Sequence, residues 1–381
     1  FSFKSPRSSK IRVLSHSCIG FSNTVLGSFW TVILSSKRRM ERLLCGYLFL
    51  LLLASSLARG EDKPHFHFSY GGIKTHLALS TLVYHYGKLL EPPDIHFSTA
   101  GNETIVTDSV GMPESTPQDS RYNILEAARY LKDTFPQGRV TWFRDLRRTD
   151  LQVGLTISAK SSAMAVVFRG TETWFDWAVD LKISKKALPG DVDSVYVHEG
   201  FFWKLFSKGD DGQSVYDLIL RAVREELKKH QYEYIYVTGH SLGGALATLC
   251  GYQLAKDLPD RQIWVVSFAS PRVGNQAWKD AFHMTPNLEH VRVAVHGDPV
   301  TSGPLIRYKH VGDVIKLYED KVLFFQKHED SMTRFWWFNV KWNFEGAKRD
   351  HSLAQYWANL GNNWWSYHSR QVETCVVEGE L

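Results

Sequence analysis

Hydrophobic and polar positions alternate with two different periods along this chain, and the change of period marks the elements. Apolar residues recur at helical spacing over 73–90 and again over 119–134, where Ile124, Ala127, Ala128 and Leu131 fall on one side. Between them, 91–118 is rich in Pro, Ser, Thr, Gly and Asp and reads as a long loop. Two short apolar runs, 153–157 and 164–168, flank a polar turn and predict a β-hairpin. An amphipathic helix follows at 216–229, with Leu218, Ile219, Val223 and Leu227 on its apolar side. The run 234–237 (YIYV) is short and apolar, as in a buried strand, and a small-residue helix is predicted over 245–254. A strand at 263–268, a helical piece at 276–283 and a strand at 291–295 continue the alternation. Strands alternating with helices predict an α/β fold with a central, mostly parallel sheet covered by helices on both faces.

The N-terminal stretch has a different character. Met40-Glu41-Arg42 precedes an apolar run of about a dozen residues from Leu43, followed by Ser55, Ser56, Leu57 and Ala58. The run is short of the ~20 residues that span a bilayer, so 40–58 is expected to be a signal peptide with Met40 as the start; a retained anchor is the alternative. Residues 1–39 begin with Phe, hold seven Lys or Arg and no acid, and are rich in Ser. They are read as upstream sequence rather than native protein, or else as a transit-like leader to an organelle. The expected product is secreted, with residues 59–381 forming a single domain that carries a helical N-terminal extension. Asn102-Glu103-Thr104 is a sequon where a secreted protein would be glycosylated.

Composition narrows the function classes. The 381 residues are 44% hydrophobic and 22% charged, which is ordinary globular usage. Of the net charge of +5, the first 39 residues supply seven positive charges and 40–60 one more, so 61–381 carries −3. That weakly acidic body does not look like a nucleic-acid binder, whose footprint is a concentrated basic face. Cys18 and Cys45 lie in the leader, and Cys250 and Cys375 in the body have no metal-ligand spacing. One disulfide between them is the most the body allows.

Gly239-His240-Ser241-Leu242-Gly243 matches G-x-S-x-G between a predicted strand and a predicted helix. A strand that reverses into a helix there holds the serine in a strained conformation with its hydroxyl proud of the sheet. Side chains two residues before and after would collide, which explains the two glycines. The helix N-terminus beneath it favours developing negative charge. A serine hydroxyl needs a base, and the base an orienting acid. Seven histidines follow Ser241, at 283, 290, 296, 310, 328, 351 and 368. Spacing does not choose among them. Asp298 follows the strand 291–295 in the loop His296-Gly297-Asp298-Pro299, at the strand edge where α/β sheets place active-site residues. His351 opens a helical stretch (HSLAQYW), a suitable perch for a base, whereas His310 lies in an extended run and reads as structural.

An ordered series of motifs now carries a resemblance: Val167-Phe168-Arg169-Gly170-Thr171, Asp176-Trp177-Ala178-Val179-Asp180-Leu181, Val197-His198-Glu199-Gly200-Phe201, the TGHSLGGALA run from Thr238, Ser270-Pro271-Arg272-Val273-Gly274-Asn275, Gly297-Asp298-Pro299-Val300 and Asp350-His351-Ser352. In this order they resemble the class 3 lipase family, the fungal-lipase-like α/β-hydrolases, over about 125–367. The resemblance implies Ser241, Asp298 and His351 as the catalytic triad. It also implies an oxyanion hole from Thr171 and the Leu242 N–H. Elementary mechanics agrees on the second donor, which must come from a loop after a neighbouring strand. The expected activity is hydrolysis of acyl-lipid esters at a lipid–water interface, triacylglycerol first. A phospholipase A1, a galactolipase and a feruloyl-type esterase are the alternatives within the class, and an inactive lipid-binding protein on the same fold lies outside it. No metal or organic cofactor is required for that chemistry, and a monomer is assumed.

Three local expectations follow. Arg169 and Asp180 are expected to form an ion pair bracketing Trp174-Phe175-Asp176-Trp177, two unrelated structural charges being the alternative, and the segment 174–181 reads either as part of a lid or as residues packing its base. The acid is followed by Pro299-Val300-Thr301, where relatives commonly have D-x-V-P, which alters the adjoining wall. The aromatic row Phe335, Trp336, Trp337, Phe338, Trp342 and Phe344 reads as an acyl-groove wall, an interfacial anchor or a buried face.

Overall fold

The computed structural model describes residues 68–85, 96–97, 118–146, 150–171, 184–188, 190–191, 194–304, 307–325 and 344–362. The chain divides into Phe1–His65 and Phe66–Leu381, and every described residue lies in the second unit. The leader segments 1–39 and 40–58, the Asn102 sequon, the segment 174–181, the aromatics at 335–342 and Cys375 lie outside the described residues.

In chain order the elements are α1 (Tyr70–Leu82), β1 (His96–Phe97), α2 (Gln118–Thr134), β2 (Gly138–Leu146), β3 (Leu151–Ser158), β4 (Ala163–Phe168), β5 (Lys185–Ala187), β6 (Tyr196–His198), α3 (Glu199–Phe206), α4 (Val215–Lys229), β7 (Tyr234–His240), α5 (Leu242–Asp257), β8 (Ile263–Phe268), α6 (Gln276–Met284), β9 (Leu288–Val295), β10 (Asp313–Leu317), β11 (Val322–Phe325), α7 (Phe344–His351) and α8 (Leu353–Asn362). Among the described residues nine strands form one sheet in the order β1-β2-β3-β4-β7-β8-β9-β10-β11. Its centre, from β4 through β10, is parallel. Antiparallel strands flank it on both margins. This is the α/β-hydrolase arrangement expected from the alternation of elements.

The period-2 rule decides what each face buries. Along β4, Met164, Val166 and Phe168 enter one core and Ala163, Ala165 and Val167 the other. The first core takes its helical cover from α3 to α6. The second takes it from α1, α2 and α8. Both faces are therefore dry, and the central strands read as nearly continuous apolar runs.

The helix boundaries move from their expected places for local reasons. The N-terminal helix begins at Tyr70, because Ser69 caps it by accepting the Gly72 N–H at 3.1 Å. It gives way to a turn after Leu82, short of the expected 90. A two-residue strand, His96–Phe97, interrupts the expected loop. His351 does not open a helix: it closes α7, and α8 begins two residues later. His310 precedes the strand Asp313–Leu317 instead of lying within it.

Candidate active site

β7 runs parallel to its neighbours and ends at His240; Ser241 is the pivot, and α5 starts at Leu242. Ser241 sits at φ +59° and ψ −125°, a conformation that a residue with a side chain rarely takes and that costs on the order of 1–3 kcal/mol. Its backbone N–H is held by the Phe268 carbonyl at 2.9 Å, which ties the pivot to the end of β8. The two motif glycines are required by space. A Cβ on Gly239 would stand 2.5 Å from the Gly243 carbonyl, and one on Gly243 would stand 2.5 Å from the Phe168 carbonyl.

Ser241 is the N-cap residue of α5, yet its hydroxyl makes no capping bond. It lies 2.9 Å from His351 Nε2 instead. His351 Nδ1 is 3.0 and 3.1 Å from the two carboxylate oxygens of Asp298. A carboxylate only accepts, so Nδ1 carries the ring proton and Nε2 is the acceptor for the serine O–H. Ser241, His351 and Asp298 are 0%, 2% and 3% exposed, so charge that develops on the imidazole is met by the carboxylate rather than by water.

The acid is held from three sides. Gly297, at φ +99°, turns the chain after β9, and a Cβ there would stand 2.5 Å from Asp350 Oδ2. Asp298 Oδ1 accepts the Val300 N–H at 3.0 Å. Oδ2 accepts the Tyr356 hydroxyl at 2.7 Å. That hydroxyl in turn accepts the Val295 N–H at 3.1 Å. Tyr356 is fully buried, and burial followed by the Asp298 charge pushes its phenol well above the usual range, so it remains a donor.

Thr171 is buried on the loop that leaves β4, and β4 pairs with β7 so that Phe168 lies opposite Gly239. Gly170, next to it, packs against the pivot: a Cβ there would stand 2.6 Å from the His240 carbonyl and 3.2 Å from Ser241 Cβ. Leu242 is the first residue of α5, and first-turn N–H groups have no acceptor inside their helix. Leu242 thus follows the serine directly, and Thr171 follows Gly170, which packs against it. Arg169 forms a salt bridge with Asp150; Asp180, its expected partner, lies outside the described residues.

The other described histidines after Ser241 are engaged elsewhere. His283 Nε2 accepts the Gly312 N–H, and His290 bonds Ser267. His296 stacks on Tyr318, and His310 Nε2 donates to the Thr301 carbonyl. His328 and His368 lie outside the described residues. Cys250 is a free, buried thiol inside α5 that burial pushes up. Among the described residues no cluster of His, Cys, Asp or Glu could hold a metal, and no helix is long and apolar enough to cross a membrane.

Reasoning from the sequence missed Tyr356, His240 and Tyr84. Tyr356 had a weak signal, five residues beyond His351 on the same helical stretch. His240 was visible only as the variable position of the elbow motif. Its Nε2 lies 2.9 Å from the His351 carbonyl, and its Nδ1 lies 3.1 Å from the Tyr84 hydroxyl.

On this α/β-hydrolase fold a serine stands at a strained strand-to-helix elbow, aligned with an imidazole and a carboxylate. Over residues 165–308 the chain matches the family model described as Lipase (class 3). It is 30% identical over 164 residues to Phospholipase A1-II 1 of Oryza sativa subsp. indica, covering 39% of this chain and 41% of that protein. It is 32% identical over 174 residues to Secreted mono- and diacylglycerol lipase A of Penicillium cyclopium, covering 44% and 52%. The chain spans about half the length of the curated relatives it matches. Among solved structures, a Rhizomucor miehei lipase propeptide complex aligns at a TM-score of 0.50 and 19% identity, covering 65% of this chain and 67% of that one, a likeness of fold.

Proposed function

We propose that this protein is a serine carboxylic-ester hydrolase acting on acyl lipids at a lipid–water interface. The observation that carries the reading is the single line from the Ser241 hydroxyl through His351 to Asp298, with contacts of 2.9 and 3.0 Å. In this reading Ser241 Oγ attacks the ester carbonyl while His351 Nε2 takes its proton. Asp298 holds the tautomer and stabilises the imidazolium. The tetrahedral oxyanion is met by Thr171 and by the Leu242 N–H, a contribution of roughly 3–4 kcal/mol for one such donor. The intermediate collapses, the C–O bond breaks and His351 returns its proton to the leaving alcohol. Water then attacks the acyl-enzyme, its proton passes to His351, and the acid departs as Ser241 is restored. The chemistry uses side chains and backbone alone.

Triacylglycerol is the first substrate class to test, on the resemblance to fungal lipases and the abundance of aromatic residues in the chain. Phospholipid cleavage at the sn-1 ester is the second reading, favoured by the named activity of the rice relatives. Secretion is part of the proposal. It rests on the apolar run that follows Met40 and on the name of the Penicillium relative.

The test is hydrolysis of a matched panel of triacylglycerol, phosphatidylcholine, galactolipid and short-chain ester by the protein and its Ser241→Ala variant. We expect cleavage of at least one acyl lipid, abolished by the substitution. A variant as active as its parent overturns the nucleophile. A parent inactive on the whole panel but able to bind lipid favours an inactive binding protein.

A further inference from the structure

We infer that Tyr84, on the turn that follows α1, is a positioning residue for this chemistry: through His240 it fixes a neutral tautomer beside His351 and holds the backbone of the base in place. The inference rests on the proposed roles of Ser241 and His351.

The His351 carbonyl can only accept. His240 Nε2, 2.9 Å away, must therefore carry a proton. A neutral imidazole has one N–H, so Nδ1 presents a lone pair, and the Tyr84 hydroxyl at 3.1 Å is its donor. The result is a directed chain from the Tyr84 O–H to His240 to the main chain of His351.

The alternative is a second proton on His240. Its ring centroid is 4.9 Å from that of His351, and both rings are buried. A cation there would oppose the imidazolium that catalysis must form at His351. Burial and then the neighbouring His351 hold the His240 imidazole well below its usual range. Among the described residues three titratable side chains face His240: Tyr84 from the turn after α1, His351 from α7 and Tyr356 from α8, whose ring crosses it at 83°. Asp298 is already engaged by His351, Val300 and Tyr356.

The hydroxyl is held in place by its surroundings. It fills the notch left by the missing side chain of Gly170, beside the Thr171 loop. Behind it, α1 is pinned to both halves of the site. Ser80 Oγ lies 3.2 Å from Thr238 Oγ1 on β7, and His76 packs on Tyr236 at 4.3 Å. Thr81 Oγ1 accepts the Trp357 indole N–H of α8 at 3.0 Å. One helix thus touches the strand that leads into Ser241 and the helix that follows His351.

The experiment uses the full chain with Tyr84→Phe, His240→Gln and the double substitution, each followed on a soluble ester across pH. Glutamine can keep an N–H toward the His351 carbonyl and cannot titrate. We expect Tyr84→Phe to lower kcat about threefold to tenfold near neutral pH, the range of one hydrogen bond, with KM within about twofold. The loss should deepen as pH falls, because His240 without its donor takes up a proton more readily than the parent ring does. In the His240→Gln background the same change should cost almost nothing further, since the pair acts as one unit. A loss equal at every pH, or undiminished in that background, overturns the inference. A second readout is independent of turnover. In Ser241→Ala protein the His240 ring, followed by nitrogen NMR, should stay neutral with the proton on Nε2 from about pH 5 to about pH 9. With Tyr84→Phe added, the Nδ1 resonance should lose its hydrogen-bond shift and protonation of the ring should begin at a higher pH than in the parent. Titration with Tyr84 intact overturns the inference, whereas an active Ser241→Ala enzyme overturns only the proposed function.

Discussion

Two places on this sheet bury histidines, and they differ in the charge set beside them. At the elbow, His351 lies between the Asp298 carboxylate and the Ser241 hydroxyl. Beside β8 and β9, His290 bonds Ser267 and His310 bonds the Thr301 carbonyl. There the buried guanidinium of Arg292 adds to burial and holds both imidazoles well below their usual range. A ring beside an anion can take a proton and return it. A ring beside a cation is locked neutral and serves as a fixed hydrogen-bonding piece of the core. Burial is common to both places, so on the proposed reading it is the sign of the neighbour that separates the base from these structural histidines.

The comparison breaks most visibly at the two rings themselves. His351→Ala should lower kcat by about 10⁴-fold or more, measured as steady-state ester hydrolysis. If His310→Gln lost activity on the same scale, the distinction would fail. Next in size is Tyr356→Phe, which removes a donor from the Asp298 carboxylate while leaving the ring in place. Hydrogen bonds to charged groups contribute about 1.5–3 kcal/mol, so kcat should fall roughly tenfold to a hundredfold. Its effect on the melting temperature should be modest beside that.

His310→Gln should show the opposite pattern. It disturbs a buried bond to the Thr301 carbonyl, and stability should fall by about 1–3 kcal/mol by denaturant titration, with kcat within about threefold. The smallest effect at neutral pH is linkage. His76, His240, His290 and His310 all have folded-state values below that of a free imidazole, His76 at about 4. The unfolded chain therefore binds more protons than the folded one below the ordinary histidine value. Stability should be flat above about pH 7 and should decline as pH falls from about 6.5 toward 4. The Asp350 carboxyl, raised chiefly by burial, acts in the other direction and should soften the decline at its acid end. A melting temperature that rose over this interval would contradict the assignment of neutral buried rings.

Much of this architecture was legible along the chain because it is local. The elbow announces itself through two glycines that nothing larger could replace and through a small-residue helix that packs on neighbouring strands. Central strands such as β8 are apolar on both faces and stand out against the polar turns. β2 did not, because a register shift between Val140 and Trp142 breaks its alternation and leaves much of it half-exposed. The start of α8 was misplaced because Ser352 interrupts a stretch whose periodicity runs through. The support around the site was the least legible part. Tyr84 and His240 are 156 residues apart, and Tyr356 lies 58 residues from the carboxylate it bonds. Such pairs leave no mark in spacing, since the sheet topology alone brings them together.

The most direct test of the central claim is covalent labelling of the intact protein with an active-site phosphonate, followed by mass-spectrometric mapping. The account predicts a single modified residue, Ser241, with the rate of labelling sharply reduced in the His351→Ala protein. Labelling at another residue, or labelling of Ser241 at an undiminished rate without the His351 imidazole, would contradict it.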